Sequence, residues 1–161
     1  KSIALTQYKK QPLAPANKTI LKFEESNPSS WWNNIYSYLI FLAILVILNK
    51  KGIHCFYFSL MGILGIFFLF MGFYSDHLEL ANNYNVLLFN PTLLVLCIFY
   101  NMKNKAWIYK LSIFNLLTLL IYLIVLINKA HLFIVFPLVL TSAYFFIQLA
   151  LKNKKAIPII I

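Results

Sequence analysis

A short polar segment combines the residue types that could perform acid–base chemistry at the edge of a membrane. It contains an Asp-His pair, Asp76 and His77, followed by three asparagines, Asn83, Asn85 and Asn90. An imidazole held by a carboxylate can accept a proton, orient a nucleophile or bind a polar headgroup. Amide groups that enter hydrocarbon are costly unless they meet one another or a polar ligand. The segment is therefore predicted to be a functional site or a specific structural cluster.

A second interpretation is that these residues shape the polypeptide without contacting a substrate. In that case Ser75 and Asp76 cap helix ends, and the asparagines satisfy backbone groups ahead of Pro91. His131, on the same side of the membrane in the predicted topology, then lies in the interface. The candidate catalytic residues are His77 and Asp76, and the candidate substrate-binding or loop-shaping residues are Asn83, Asn85, Asn90 and His131. No Cys or His spacing resembles a metal site, and neither a metal nor a cofactor is predicted.

The composition predicts a membrane protein. Of the 161 residues, 61% are hydrophobic and only 11% are charged, which leaves too little polar surface for a soluble globule. Five apolar segments approach the roughly 20 residues that a spanning helix needs, and they lack the alternation of barrel strands. They cover residues 32–48, 53–74, 84–102, 107–127 and 131–151. The predicted fold class is all-α, a polytopic membrane protein with five transmembrane helices.

The lysines predict the orientation of these helices. All 14 basic residues are Lys, and they give the chain a net charge of +10. Connections one and three and the C-terminal tail are rich in Lys, whereas connection two has none and connection four has only Lys129. The positive-inside rule then puts the N-terminus outside and the C-terminus in the cytoplasm. Because the lysines lie at segment ends and not along one face, no nucleic-acid partner is predicted.

The first 30 residues differ in composition from the rest of the chain. They contain five Lys and three Pro with little amphipathic period, which is typical of a linker. Residues 1–30 are therefore predicted to be an extracytoplasmic linker or the end of an upstream periplasmic domain, residues 31–155 the transmembrane domain, and residues 156–161 a tail. Since the sequence starts at Lys1 with neither Met nor a signal-peptide pattern, it is expected to be part of a longer protein.

Small and polar residues inside the apolar segments carry structural predictions. Ser59, Gly62 and Gly65 favour close helix packing, and Lys110 is expected to reach the headgroups. The side chains expected to hydrogen-bond across helices are Asn115, Thr118, Thr141 and Ser142. No charge lies at mid-membrane, which disfavours a small-solute transporter.

The polar segment resembles a motif of the Lnb-type lipoprotein N-acyltransferases of Bacteroidota. In that family an aromatic-rich helix ends in Thr/Ser-Asp-His, and a polar stretch, Asn-x-Asn-Leu-Leu and a helix-opening Asn-Pro follow. The corresponding residues are Ser75, Asp76, His77, Asn83, Asn85, Leu87, Leu88, Asn90 and Pro91, and Val86 departs from the pattern. The five-helix layout with an outward N-terminus extends the similarity over most of the chain.

The resemblance implies acyl transfer from a phospholipid to the N-terminal cysteine amine of a lipoprotein, in the bacterial inner (cytoplasmic) membrane. Members carry an upstream periplasmic domain with a Cys/His site similar to that of papain-like enzymes. Neither Cys55 nor Cys97 is predicted to face outward, so the nucleophile is expected in that upstream domain. The implied partners are membrane phospholipid, the lipoprotein substrate and the upstream domain of the same chain.

Two functions remain open at this point. In one, the transmembrane domain holds phospholipid and lipoprotein at the outer leaflet for acyl transfer. In the other, it is a non-catalytic membrane anchor or scaffold for a periplasmic domain. Whether the chain contributes directly to catalysis depends on the roles of Asp76 and His77.

Overall fold

Five apolar helices form the membrane part of the protein. The computed structural model describes residues 7–8, 11–12, 33–74, 83–129 and 131–154. The helices are α1 (Ile35–Leu48), α2 (Lys51–Tyr74), α3 (Thr92–Asn101), α4 (Lys105–Leu126) and α5 (Leu132–Asn153), and a 3-10 helix (Tyr84–Leu87) precedes α3. The segments that contain α2, α3, α4 and α5 are long and apolar enough to cross a membrane, and α1 is a shorter apolar helix. The predicted five-helix membrane fold is thereby confirmed, whereas its orientation stays a prediction.

The N-terminal unit, Lys1–Asn33, contains a short antiparallel strand pair. The strands are β1 (Gln7–Tyr8) and β2 (Gln11–Pro12), with Gln7 opposite Pro12. The pair lies within the segment predicted to be a linker.

Asparagine side chains set several helix ends. The Oδ1 atom of Asn34 accepts the N–H of Ser37 at 2.9 Å, so α1 begins at residue 35 and not at residue 32 as predicted. Asn104 accepts the N–H of Trp107 at 3.3 Å, which starts α4 two residues before the predicted position. Asn49 ends α1 in the left-handed conformation with φ of 35°. Asn suits these positions because its short amide accepts a free N–H of the first turn and tolerates positive φ.

The third apolar segment is not the continuous helix predicted over residues 84–102. A 3-10 helix occupies Tyr84–Leu87, and α3 begins only at Thr92. Pro91 has no N–H to donate, and the Oδ1 atom of Asn90 accepts the N–H of Thr92 at 3.0 Å. With ten residues, α3 is about 15 Å long, which is half of the roughly 30 Å hydrocarbon core. The remainder of this span is the 3-10 helix and irregular backbone, here called the helix break (residues 83–91).

Glycines allow α3 and the helix break to approach α2 closely. A Cβ atom added at Gly62 would lie 2.7 Å from the Cγ atom of Leu94, and one added at Gly65 would overlap the carbonyl oxygen of Phe89. Helix interfaces in membranes contain small residues that allow this close packing. Apolar side chains gain no hydrophobic free energy by moving from lipid to such an interface, because lipid tails are equally apolar. The predicted close packing on this side of α2 is confirmed.

The four polar side chains predicted to bond across helices fall into two groups. Asn115 accepts a hydroxyl hydrogen bond from α3 at 3.1 Å, and the Oγ atom of Ser142 lies 2.6 Å from a tyrosine hydroxyl of α2. The prediction is wrong for Thr118 and Thr141, whose hydroxyls donate to backbone carbonyls of their own helices. A threonine hydroxyl reaches the carbonyl three or four residues earlier and therefore needs no partner on a second helix.

Lys110 is exposed near the start of α4. Its Nζ atom lies 5.4 Å from the centre of the Trp107 ring, within the range of a cation–π interaction. Because Trp prefers the membrane interface, this contact supports the expected interfacial position of the ammonium group.

Candidate functional site

One end of the helix bundle brings three of the predicted site residues around a single cavity. The cavity has a volume of about 170 Å³, and we call it the asparagine cavity. Its lining residues are Asn83, Tyr84, Asn85, Val125, Leu126, Lys129 and His131. They come from the start of the helix break, from the end of α4 and its following turn, and from the residue before α5. Drug-sized ligands occupy roughly 300–1,000 Å³, so this cavity suits a headgroup or a reacting group and not a complete lipid.

The side-chain oxygens of Asn83 and Asn85 accept hydrogen bonds from the backbone of the 3-10 helix and from α4. The Oδ1 atom of Asn83 accepts the N–H of Asn85 at 3.1 Å, which caps the 3-10 helix. The Oδ1 atom of Asn85 accepts the hydroxyl hydrogen of Tyr122 at 2.9 Å. Among the described residues, neither Nδ2 group of this pair has a hydrogen-bond partner. The two amide nitrogens are therefore able to donate to a ligand.

Tyr122 links α4 to the helix break and was not among the residues predicted from the sequence. Its side chain is fully buried, with 0% exposure, and its hydroxyl reaches a residue 37 positions away in sequence. It belongs to the buried face of α4, which repeats every three or four residues. Asn115 lies on the same face two turns earlier, and that spacing was the available sequence signal for Tyr122.

Asn90 is buried away from the cavity and supports the start of α3. Besides its bond to the N–H of Thr92, its carbonyl accepts the N–H of Leu93 at 3.0 Å. The Thr92 hydroxyl donates to the Oδ1 atom of Asn115 at 3.1 Å, and the Nδ2 group of Asn115 donates to the carbonyl of Leu111 at 2.8 Å. The hydrogen bonds of Asn90 thus join backbone groups of the helix break and of the start of α3, and its predicted site role stays a prediction.

Lys129 and His131 supply the charge and the imidazole of the asparagine cavity. Both side chains are exposed, and His131 makes no side-chain capping bond to α5. The chain has four acidic residues, at positions 24, 25, 76 and 79, and all of them lie outside the described residues. Within the described part, the cavity therefore presents N–H donors, one ammonium and one imidazole. This set suits an anionic or ester oxygen, because hydrogen bonds between charged and polar partners are the stronger ones.

Asp76 and His77 lie outside the described residues. In sequence they follow α2 and precede Asn83, the first lining residue of the asparagine cavity. Their predicted catalytic role stays a prediction.

Both cysteines lie at the other end of the bundle. Cys55 is in the first turns of α2, Cys97 is in α3, and both thiols are free. The Sγ atom of Cys97 lies 3.7 Å from the carbonyl oxygen of Cys55, which places the two residues side by side. Neither residue lines the asparagine cavity. A thiol that acts at this cavity must therefore come from outside the described residues.

Metal-binding side chains do not gather in the part of the chain that the structure describes. No group of three or more His, Cys, Asp or Glu residues occurs there.

The comparison with protein families covers most of the chain. Residues 34–155 match the family model described as the Lnb transmembrane domain. The match spans all five helices, the helix break and the asparagine cavity. No significant match was found among curated proteins or among solved structures.

Proposed function

The chain belongs to the Lnb transmembrane-domain family, and from this premise we propose that it serves acyl transfer from a membrane phospholipid to the N-terminal cysteine amine of a lipoprotein. Its proposed role is to hold phospholipid and lipoprotein at the outer leaflet of the bacterial inner membrane. The observation that carries the proposal is the asparagine cavity, in which Asn83, Asn85, Lys129 and His131 surround one small space.

The cavity complements the polar part of a phospholipid. Ester carbonyls and phosphate oxygens only accept hydrogen bonds, and the Nδ2 groups of Asn83 and Asn85 can donate to them. Lys129 adds a positive charge for the phosphate. Large apolar side chains on α4 and α5, including Ile124 and Phe133, are exposed near this end and offer a surface for acyl chains. A polar group in the cavity and tails along the helices would orient the scissile ester.

The proposed reaction balances as two acyl transfers. The thiol of the upstream domain that the family resemblance implies gives up its proton and attacks the ester carbonyl. That proton passes to the departing glycerol oxygen, so a lysophospholipid leaves and a thioester forms. The lipoprotein amine then attacks the thioester, an amide bond forms and the thiol is released. In this second transfer the amine loses one proton and the sulfur gains one, so an acid–base group is needed near the reacting amine. We assign that role to His77, with Asp76 orienting its imidazole.

The first test changes the amide nitrogens of the cavity and keeps the oxygens. Asn83→Asp and Asn85→Asp retain acceptors for the 3-10 helix and for Tyr122, but they lose an N–H donor and add a negative charge. A hydrogen bond to a charged group contributes about 1.5–3 kcal/mol, so we expect N-acylation to fall about 10- to 100-fold. The measurement is mass spectrometry of a lipoprotein N-terminal peptide, made with the intact protein and normalised to its abundance.

Asn104→Asp is the matched control. Asn104 also caps a helix with its side-chain oxygen, but it lies at the other end of α4. The same chemical change there should leave acylation within about twofold of the wild type. An equal loss in the control and in the cavity variants would show that the charge disturbs folding and that the cavity is not the cause.

The second test concerns the acid–base pair. General acid–base catalysis typically contributes about 10²–10⁴-fold, so His77→Ala should lose acylation by that factor at unchanged membrane abundance. Asp76→Asn should lose less, because an amide can still orient the imidazole. If the chain is only an anchor or scaffold, acylation will fall in proportion to folded protein. Normal acylation in both His77→Ala and Asn85→Asp would overturn the proposal.

A further inference from the structure

The end of the bundle opposite the asparagine cavity contains a second cavity, which is rich in lysine. It has a volume of about 240 Å³, and we call it the lysine cavity. Its lining residues are Lys51, Tyr100, Lys103, Lys105, Ile108 and Asn153. It lies at the start of α4 and the end of α5, whereas the asparagine cavity lies at the end of α4 and the start of α5. With 22 residues α4 is about 33 Å long, so the two cavities lie at opposite ends of a helix that is long enough to cross the hydrocarbon core.

Three parts of the chain each contribute a lysine to the lining of the lysine cavity. Lys51 is the first residue of α2, Lys105 is the first residue of α4, and Lys103 lies in the turn between α3 and α4. Lys103 has φ of 58°, a left-handed conformation that Gly or Asn adopts at lower cost. The turn thus carries a lysine at a position where the backbone favours another residue.

The positive charge of the lysine cavity is not neutralised within the described part of the chain. The four acidic residues all fall outside that part. Among the described residues, Lys51 makes a long contact of 3.5 Å to the carbonyl of Asn101 and a cation–π contact of 5.6 Å to the Tyr100 ring. Lysines from three elements border this one space, so the site favours an anion over a cation.

We propose that the lysine cavity binds the phosphate group of an anionic membrane phospholipid. The buried Ile108 side chain and the Tyr100 ring give the cavity an apolar wall beside its ammonium groups, which fits a phosphate that continues into a glycerol ester. The exposed apolar helix faces beside it offer contact to acyl chains. The lysine-rich end is also the predicted cytoplasmic end, and the cytoplasmic leaflet carries the anionic lipids that basic sites bind. This lipid is distinct from the proposed acyl donor, and the inference does not depend on the proposed function.

The test measures lipid binding to the full chain in detergent by native mass spectrometry. The probes are phosphatidylglycerol, which is anionic, and phosphatidylethanolamine, which has no net charge. The cavity variant combines Lys51→Gln, Lys103→Gln and Lys105→Gln. The control variant combines Lys50→Gln, Lys152→Gln and Lys154→Gln, which remove the same charge near the same end but from residues outside the cavity lining.

We expect the cavity variant to bind phosphatidylglycerol at least about tenfold more weakly than the control variant, with phosphatidylethanolamine affected equally in both. Each lysine variant made singly should bind phosphatidylglycerol roughly fivefold more weakly than the wild type. The single variants therefore test the site if the triple variant does not fold. An equal loss in the two triple variants would show a diffuse surface attraction and overturn the site. Displacement of the lipid by soluble glycerol 3-phosphate at an equal concentration would show a site for soluble anions and overturn the lipid assignment.

Discussion

Replacing Gly65 with alanine should destabilise the helix break that carries the asparagines. A Cβ atom at this position would overlap the carbonyl oxygen of Phe89, and it would lie 2.7 Å from the Phe89 carbonyl carbon and 3.0 Å from the Cδ atom of Pro91. These atoms belong to the backbone and to a proline ring, so they cannot move aside by a change of rotamer. The segment from Phe89 to Pro91 must shift away from α2, and the hydrogen bond between the Thr92 N–H and the Asn90 side chain is disturbed with it.

The magnitude follows from two opposing terms. Overpacking a well-packed interior costs about 1–3 kcal/mol, and rigid backbone neighbours favour the upper part of that range. Alanine in place of glycine inside a helix stabilises the folded state by about 0.5–1 kcal/mol, because the alanine backbone loses less conformational entropy on folding. We therefore expect Gly65→Ala to lower the free energy of unfolding by about 1–2 kcal/mol.

The measurement is unfolding of the purified chain in mixed micelles by a denaturing detergent, followed by tryptophan fluorescence. Gly52→Ala is the control, because a Cβ atom at Gly52 meets nothing within 4 Å and the helix gains from alanine. Gly62→Ala should fall between the two, since the nearest atom there belongs to the flexible Leu94 side chain. If Gly65→Ala unfolds at the same detergent fraction as Gly52→Ala, the break does not depend on this approach and the reasoning is wrong.

Two further predictions concern the bond that holds the break and the orientation of the bundle. Tyr122→Phe leaves the Oδ1 atom of Asn85 without its 2.9 Å donor and should lower the free energy of unfolding by about 0.6–1.7 kcal/mol, the range of hydrogen bonds between membrane helices. Tyr109→Phe in the same helix should change that free energy little. Equal losses in the two variants would show that the bond from the Tyr122 hydroxyl does not stabilise the break. A cysteine at Lys129 should react with a membrane-impermeant thiol reagent added from the periplasmic side, whereas a cysteine at Lys103 should not; the reverse pattern would invert the predicted topology.

The sequence predicted the number of helices, because apolar length is a local pattern, and it left open whether the asparagines near Pro91 bind substrate or shape the loop. Apolar length defines a spanning segment, and the Asn-Pro pair marks where backbone groups need side-chain partners. The helix starts were displaced by two or three residues at Asn34 and Asn104, each of which caps its helix by accepting a backbone N–H. The sequence also placed His131 on the side of the asparagines, and the structure brings it to the cavity of Asn83 and Asn85.

The buried faces of the helices could not be predicted in the same way. In a membrane, lipid-facing and protein-facing side chains are equally apolar, so the hydrophobic pattern does not distinguish them. Only a polar or small residue marks the buried face, as Asn115 and Gly65 do. Tyr122 is one of ten tyrosines, and only its spacing from Asn115 on the same helix face distinguishes it from the others. The lysine cavity is also a product of tertiary structure, because its three lysines come from different elements.

The helix break is the element that connects the polar motif to the fold. A continuous helix over residues 84–102 would satisfy its own backbone without help from side chains, whereas irregular backbone at membrane depth is tolerated only where protein or a cavity surrounds it. Each asparagine contributes differently to this backbone, since Asn83 caps the 3-10 helix, Asn85 bonds to Tyr122, and Asn90 holds the start of α3. Because these contributions differ, the asparagines are not interchangeable. The break places Asn83 and Asn85 beside His131. In a straight helix at the same place, these asparagines would lie along the face of that helix instead.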